Sequence, residues 1–318
     1  MKIRIFPILI LLAVSTKMFG QQEQQFTQFM YNKMAVNPGS AGSRGLTEAS
    51  VFYRNQWIGF EGAPKTQGMN FQTNWLQNRV GLGANLVHRS IGIQDRMTLD
   101  VAYAYRVRLS RGMLGAGLQA SVRYFRNNYL DPRLQGTQPV TTDAAVPQEA
   151  MSKILPNFGF GFYYTGEKFY LGLSAPRLVA NNIDFVQAGS ILSKEVQHYY
   201  LMSGYDWKVA EGIVLTPQVL FKYVKNAPFD GDFNVNATIN ERFVGGMTYR
   251  LGGGEASSYG ESLDLLAGIQ ATKKVFFALS YDIGLSKLRK YHNGSVELTA
   301  RYFFKEPTPN SWLVNPRD

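Results

Sequence analysis

The chain has 318 residues, no cysteine, 33 Lys and Arg against 23 Asp and Glu, and a formal charge of +10. Without cysteine, disulfides and thiolate metal sites are impossible. The basic residues are scattered, with no run of five, and the chain opens on an export address; both argue against nucleic acid as the partner of that charge.

The address is residues 1–20. Met1-Lys2-Ile3-Arg4 is positive, Ile5 to Val14 is apolar apart from Pro7, and Ser15 to Gly20 is more polar and ends small. This is the layout of a secretory signal peptide. A spanning helix needs roughly twenty apolar residues, about twice this run. Cleavage is expected after Gly20, although Met18 is larger than the residue usually found three back. No Cys follows to carry a lipoprotein anchor. Removal of 1–20 leaves 298 residues, and loss of Lys2, Arg4 and Lys17 leaves a charge of +7. That balance suits an acidic polypeptide, lipopolysaccharide, or cations set at lipid headgroups.

Residues 21–45 come next. Phe26, Phe29, Met30 and Met34 fall at helical spacing, and Asn37-Pro38-Gly39 would end a helix. The segment is expected either to plug the domain C-terminal to it or to hang free in the periplasm.

From residue 46 the pattern is period-two alternation broken by turn residues. Fourteen strands are predicted, at 46–57, 67–76, 80–90, 96–109, 112–125, 157–165, 168–175, 196–208, 212–224, 232–240, 242–250, 262–270, 273–284 and 294–305. In the last, Val296, Leu298, Ala300, Tyr302 and Phe304 oppose Ser295, Glu297, Thr299 and Arg301. A soluble sandwich and a membrane barrel both alternate, with opposite faces buried. Three features favour the barrel. Several segments alternate for about twelve residues, whereas soluble strands average about five or six. Tyr103, Tyr105, Tyr124, Tyr164, Tyr223, Tyr249, Tyr281 and Tyr302, with Trp75 and Trp207, all sit on the apolar face, most near strand ends, where an interfacial girdle falls. Short connections (77–79, 110–111, 166–167, 210–211, 240–241, 271–272) alternate with long ones (58–66, 91–95, 126–156, 176–195, 225–231, 251–261, 285–293). The expected fold is therefore all-β, a transmembrane antiparallel up-and-down barrel over 46–305. An even strand number puts both termini in the periplasm, with a Pro-rich tail over 306–318 behind an aromatic last strand, Tyr302-Phe303-Phe304.

Two details are harder. Pro217 lies inside the ninth segment and predicts a bulge or a misplaced boundary, because proline cannot donate to a ladder. The 126–156 connection is long enough to hide a further strand or helix. A barrel this wide is not filled by side chains alone, so it is plugged or it conducts.

No motif carries enzyme chemistry. Gly115-Ala116-Gly117-Leu118-Gln119-Ala120 resembles a dinucleotide loop, but it sits mid-strand, where such a loop cannot form. Like Gly81-x-Gly83 and Gly159-x-Gly161, it reads as small lumen-facing positions. His88, His198 and His292 lack a partner at metal spacing. Neither cofactor nor metal is expected. A Ser–His–carboxylate hydrolase is not excluded by spacing. Asp100, Arg106, Arg108, Arg123, Lys222, Asp264, Asp282, Glu297 and Arg301 face the lumen, to line a path or to pair across it.

Between residues 21 and 75 the sequence becomes specific. Gln25-Phe26-Thr27-Gln28-Phe29-Met30-Tyr31-Asn32, Asn37-Pro38-Gly39-Ser40-Ala41-Gly42-Ser43-Arg44-Gly45, Tyr53-Arg54-Asn55-Gln56-Trp57 and Gly62-Ala63-Pro64-Lys65-Thr66-Gln67 follow in order. Together they resemble the PorP/SprF family of Bacteroidota, with a weaker echo at Gly172-Leu173-Ser174-Ala175-Pro176. The family more often has Asn-Pro-Ala-Tyr-Ala-Gly at the second motif; Gly39-Ser40 departs from it. The resemblance implies a non-enzymatic outer-membrane barrel of the type IX secretion system. Such a barrel is either a core component or an accessory that binds and supports secretion or surface attachment of a cognate sorting-domain protein, such as a gliding adhesin. It makes Phe26, Phe29, Met30, Tyr31, Asn32, Asn37, Pro38, Arg44, Tyr53, Arg54, Gln56, Trp57, Pro64 and Gln67 the candidates for partner binding or plugging. The long loops 126–156 and 176–195 are the next candidates. The alternatives are an outer-membrane channel or transporter for small hydrophobic molecules, and an outer-membrane hydrolase.

Overall fold

The computed structural model describes residues 23–134, 147–185, 194–252 and 260–306. The expected signal peptide, the centres of three long connections and the tail beyond Glu306 lie outside the described residues.

Fourteen antiparallel strands close into a barrel. They are β1 (Glu48–Asn55), β2 (Lys65–Trp75), β3 (Val80–Ile91), β4 (Gln94–Leu109), β5 (Gly112–Asn128), β6 (Ala150–Gly166) and β7 (Phe169–Ala175). Then come β8, in two pieces (His198–Tyr205 and Trp207–Ala210), β9 (Ile213–Val224), β10 (Asp230–Ile239), β11 (Phe243–Leu251), β12 (Ser262–Thr272), β13 (Val275–Gly284) and β14 (Ser295–Phe303). Each pairs with its sequence neighbours, and β14 closes on β1 with Glu48 opposite Phe303 and Asn55 opposite Val296. The first residue of β1 and the last of β14 thus lie at one end, with the short turns. One of these turns, at Asn240-Glu241, has φ of +49° and +56°, the left-handed pair that suits the twist of a two-residue hairpin.

Burial is inside out. Leu118 (65% exposed) and Ile154 (68%) stand on the outer wall, while Asp232 (0%) and Arg250 (1%) are enclosed. Only a lipid exterior makes that distribution favourable, since an apolar belt of this size is not stable in water. Every predicted outward tyrosine and both tryptophans are on the outer face, Tyr164 half-buried and the others exposed.

Pro217 produces a different outcome from the one expected. β9 runs straight through it, with Pro217 opposite Val235 and no change of register there. The break falls in β8 instead, at Asp206, next to the position Pro217 would pair with. With no N–H to give, proline leaves the neighbouring strand unbonded and that strand opens. Asp206 fills the gap by donating its N–H to the Lys168 carbonyl (2.7 Å) and accepting from Thr216 Oγ1 (2.8 Å).

The 126–156 connection does hide strand. β5 extends to Asn128 and β6 starts at Ala150, so both project past the membrane belt on the long-connection side. β7 is short because Pro176 ends it. Beyond it Leu178 donates to the Phe158 carbonyl, and Asn157 Oδ1 accepts from Leu178 and Val179, which keeps the wall joined.

Candidate functional site

The lumen is occupied by the chain's own residues 23–46. Phe26, Phe29, Met30, Tyr31, Asn32, Asn37 and Pro38 are all buried there. The predicted helix does not form. Three short 3-10 turns, Phe29–Tyr31, Lys33–Ala35 and Pro38–Ser40, replace it. A continuous helix would satisfy its own backbone, whereas this segment gives its backbone groups to the barrel wall. Nor does Asn37 end a helix: it begins the third turn, its Oδ1 accepting from the Gly39 N–H at 2.9 Å.

The segment runs the height of the barrel. Near the long connections, the Glu23 carboxylate meets Arg123 (2.9 Å) and Arg177 (3.3 Å). Arg177 also pairs with Asp100, and Arg123 with Glu195. Two fixed cations hold the Glu23 carboxyl well below the usual carboxylate range, against the opposing effect of burial, which is the largest single influence. One turn on, the Thr27 and Gln28 N–H groups both donate to Glu297, at 2.8 and 3.1 Å. Thr27 Oγ1 donates to Asp282 at 2.9 Å and accepts from Arg54 at 2.7 Å. Arg54 bridges Asp282 (2.7 Å) and Glu297 (3.2 Å). Arg250 extends this chain of charges to Asp232 (2.8 Å) and Asp264 (3.5 Å), and Lys222 continues it to Asp232 (2.9 Å) and Asp230 (3.4 Å). Seven strands, β9 to β14 and β1, are thereby tied to one another around the upper lumen, and Thr27 is the point where the plug joins them.

Lower down, Asn37 Nδ2 donates to the Phe162 carbonyl (3.0 Å), Ser174 Oγ to the Val36 carbonyl (2.6 Å), and Arg106 to the carbonyls of Gly42 (2.7 Å) and Ser43 (3.1 Å). At the foot, Arg44 pairs with Glu48 (3.4 Å), which also holds Arg301 (2.6 Å).

The glycine pairs read from the sequence are the seat of this segment. A Cβ on Gly117 would lie 2.3 Å from the Gly39 nitrogen, on Gly115 2.5 Å from the Gly39 oxygen, and on Gly81 1.9 Å from the Ala41 oxygen. On Gly83 it would strike Met34 Sδ at 2.0 Å. At Gly81, Gly115 and Gly117 backbone lies on backbone, and only glycine permits that approach. Asn37→Ala would lose the turn cap and the bonds across to β6. We expect a loss of about 1–2 kcal/mol, read as a lower urea midpoint for unfolding from lipid vesicles.

The other candidates divide. Arg54 joins the plug. Gln56 and Pro64 are buried at the top of the wall, joined by the Gln56 N–H to the Pro64 carbonyl (3.0 Å). Trp57 stacks on His292 (6.0 Å between centroids). Tyr53 and Gln67 point outward, away from the plug. Of the lumen charges, Arg108 is exposed and the rest are buried. Sequence reasoning passed over Glu23, Glu48, Arg177, Glu195, Asp232 and Arg250. For Asp232 and Arg250 the signal was charge at inward positions of strand ends facing the long connections; Glu48 sits at the short-turn end, and Glu23, Arg177 and Glu195 lie outside the strands. The three histidines lie apart: His88 on the outer wall beside Asp95, His198 bonded to the Val196 carbonyl, and His292 on Trp57.

The Acinetobacter baumannii outer membrane protein Omp33 is similar at 8% identity and TM-score 0.47, over 83% of this chain and all of that one. The CymD monoaromatic hydrocarbon channel is similar at 12% and 0.51, over 91% and 96%. The Ralstonia pickettii toluene transporter TbuX is similar at 11% and 0.49, over 91% and 96%. At 12% identity the likeness to the CymD channel speaks to fold alone. No curated protein matches the sequence. The profile of the type IX secretion system membrane protein PorP/SprF matches residues 18–302. With that match over nearly the whole chain and a closed barrel of outer-membrane type, the protein belongs to the PorP/SprF family of type IX secretion system membrane proteins.

Proposed function

We propose that this outer-membrane protein is a non-enzymatic, plugged docking platform of the type IX secretion system. It binds a cognate sorting-domain protein, such as a gliding adhesin, and supports its secretion or attachment at the surface. The observation that carries this reading is the occupied lumen. A segment fixed by ion pairs at both ends, Glu23 with Arg123 and Arg44 with Glu48, and seated on glycines suits a rigid platform better than a conduit. The end bearing the short turns, with Leu46 and Phe303, faces the periplasm. The extended β5 and β6 and the 126–156 and 176–195 loops face outward and meet the substrate. The outer belt and its basic residues contact lipid and lipopolysaccharide.

The channel reading rests on the width of the barrel and on the name of the hydrocarbon channel it resembles, and the filled lumen weighs against it. The deciding experiment compares surface and supernatant proteomes of wild type and a clean deletion. Loss of one large sorting-domain protein is expected. Loss of every such substrate would make this a core component, and unchanged secretion would remove the assignment.

A further inference from the structure

Below the plug, on the short-turn side, the barrel encloses a cavity of about 450 Å³. Its mouth is ringed by Glu167, Lys168 and Glu241, which belong to the short turns between β6 and β7 and between β10 and β11. Its walls carry Thr165, Thr216, Gln218, Asn236 and Thr238, short polar side chains on inward strand positions. At the inner end stands Lys33 of the plug. The Lys33 ammonium lies 3.4 Å from the centroid of Tyr170 and 3.2 Å from Tyr163 Oη, and the two tyrosine rings stack at 5.6 Å. No carboxylate pairs with Lys33 among the described residues. Arg44, half-buried, and Arg301, buried, also line the cavity, and both are paired with Glu48. The carboxylate that faces the cavity, Asp206, is hydrogen-bonded by Thr216 instead.

A lysine placed in this way is a binding group without its anion. Burial pushes its pKa down to about 7, with Arg44 adding to the fall and Asp206 and Glu48 opposing it. Aromatic faces stabilise the cation only in part. A bound carboxylate would complete the pair, and the threonines, Gln218 and Asn236 offer donors and acceptors to an amide backbone behind it. The volume lies within the usual range for ligand sites and fits a chain end of a few residues.

We propose that this vestibule binds a carboxylate from the periplasmic side, its ammonium anchor being Lys33, and that the ligand class is the free C-terminal end of an extended polypeptide. The site goes beyond the secretion reading and stands or falls without it, because its test measures binding to the purified barrel and not export.

The test is calorimetric titration of the full-length barrel in detergent with three probes: the tripeptide acid acetyl-Tyr-Ala-Leu, its C-terminal carboxamide, and 3-phenylpropionate. The acid is expected to bind at least tenfold more tightly than the carboxamide. Lys33→Met should abolish that preference, whereas Lys208→Met, a lysine at the exposed rim, should keep it. Tripeptide acid binding well above 3-phenylpropionate supports a polypeptide end. Equal binding of those two acids would overturn the peptide assignment. Equal binding of acid and carboxamide, or no binding of either at millimolar concentration, would overturn the site. The comparison of acid with carboxamide uses the unaltered protein, so it holds even if a variant fails to fold.

Discussion

Gly117→Val will open the barrel. The Cβ would lie 2.3 Å from the Gly39 nitrogen and 2.4 Å from the Pro38 carbonyl carbon, so no rotamer of the new side chain avoids the plug. The strand itself gains, because valine suits a β ladder better than glycine. The cost therefore falls on seating residues 36–42, on the order of 3 kcal/mol for forced overpacking. That exceeds what one or two of the lower hydrogen bonds hold, at about 1 kcal/mol each. The expected result is a stepwise conductance in planar bilayers and protease cleavage within residues 23–45, against a silent and resistant wild type. Gly245→Val is the control: it lies on the outer face with nothing within 4 Å of its Cβ, and it should behave as wild type. A silent, resistant Gly117→Val barrel would mean that the plug is not seated on β5.

Arg54→Ala will have the largest effect on stability. Arg54 is 2% exposed and holds Asp282, Glu297 and Thr27 together. Its loss leaves two buried carboxylates facing each other next to Asp264, without their nearest cation. Breaking a buried pair in this way costs about 3–5 kcal/mol. Most of that penalty belongs to the orphaned carboxylates and not to the lost attraction. Neutralising one of them should therefore recover part of it, so Arg54→Met combined with Glu297→Gln should be more stable than Arg54→Ala alone. Urea unfolding from lipid vesicles reads both values. Equal stability of Arg54→Ala and wild type would show that the network is solvated and contributes little. Glu297→Gln by itself should cost less, since an amide oxygen still accepts from Thr27 N–H, the shorter of the two bonds at 2.8 Å.

Strand after strand was legible in the sequence because side-chain alternation is a local property. Val296 to Phe304 or Leu99 to Val107 need only their own neighbours to declare two faces, and turn residues declare the ends. The inward glycines were legible as small positions, and Phe26 to Met34 as something that buries itself. What covered those glycines was not legible, because the contact of Gly117 with Gly39 or of Gly81 with Ala41 joins positions far apart in the chain. The helix expected over 26–34 failed for the same reason. Its periodicity was real, but the backbone groups at Thr27, Gln28, Val36 and Gly42 found partners on the barrel that an isolated helix would have kept for itself. Pro217 shows the limit most plainly: the residue is in β9 and its consequence is in β8. The sequence by itself determined the barrel, its approximate strand count, its short and long ends and its family likeness, since each is written in residues close together. Only the tertiary structure decided that the lumen is filled, that the plug is tied by Glu23 and Thr27, and that, among the described residues, Lys33 stands without a carboxylate above a cavity on the short-turn side. Those facts depend on charges from many strands converging on one point, and no local pattern records where separate strands meet.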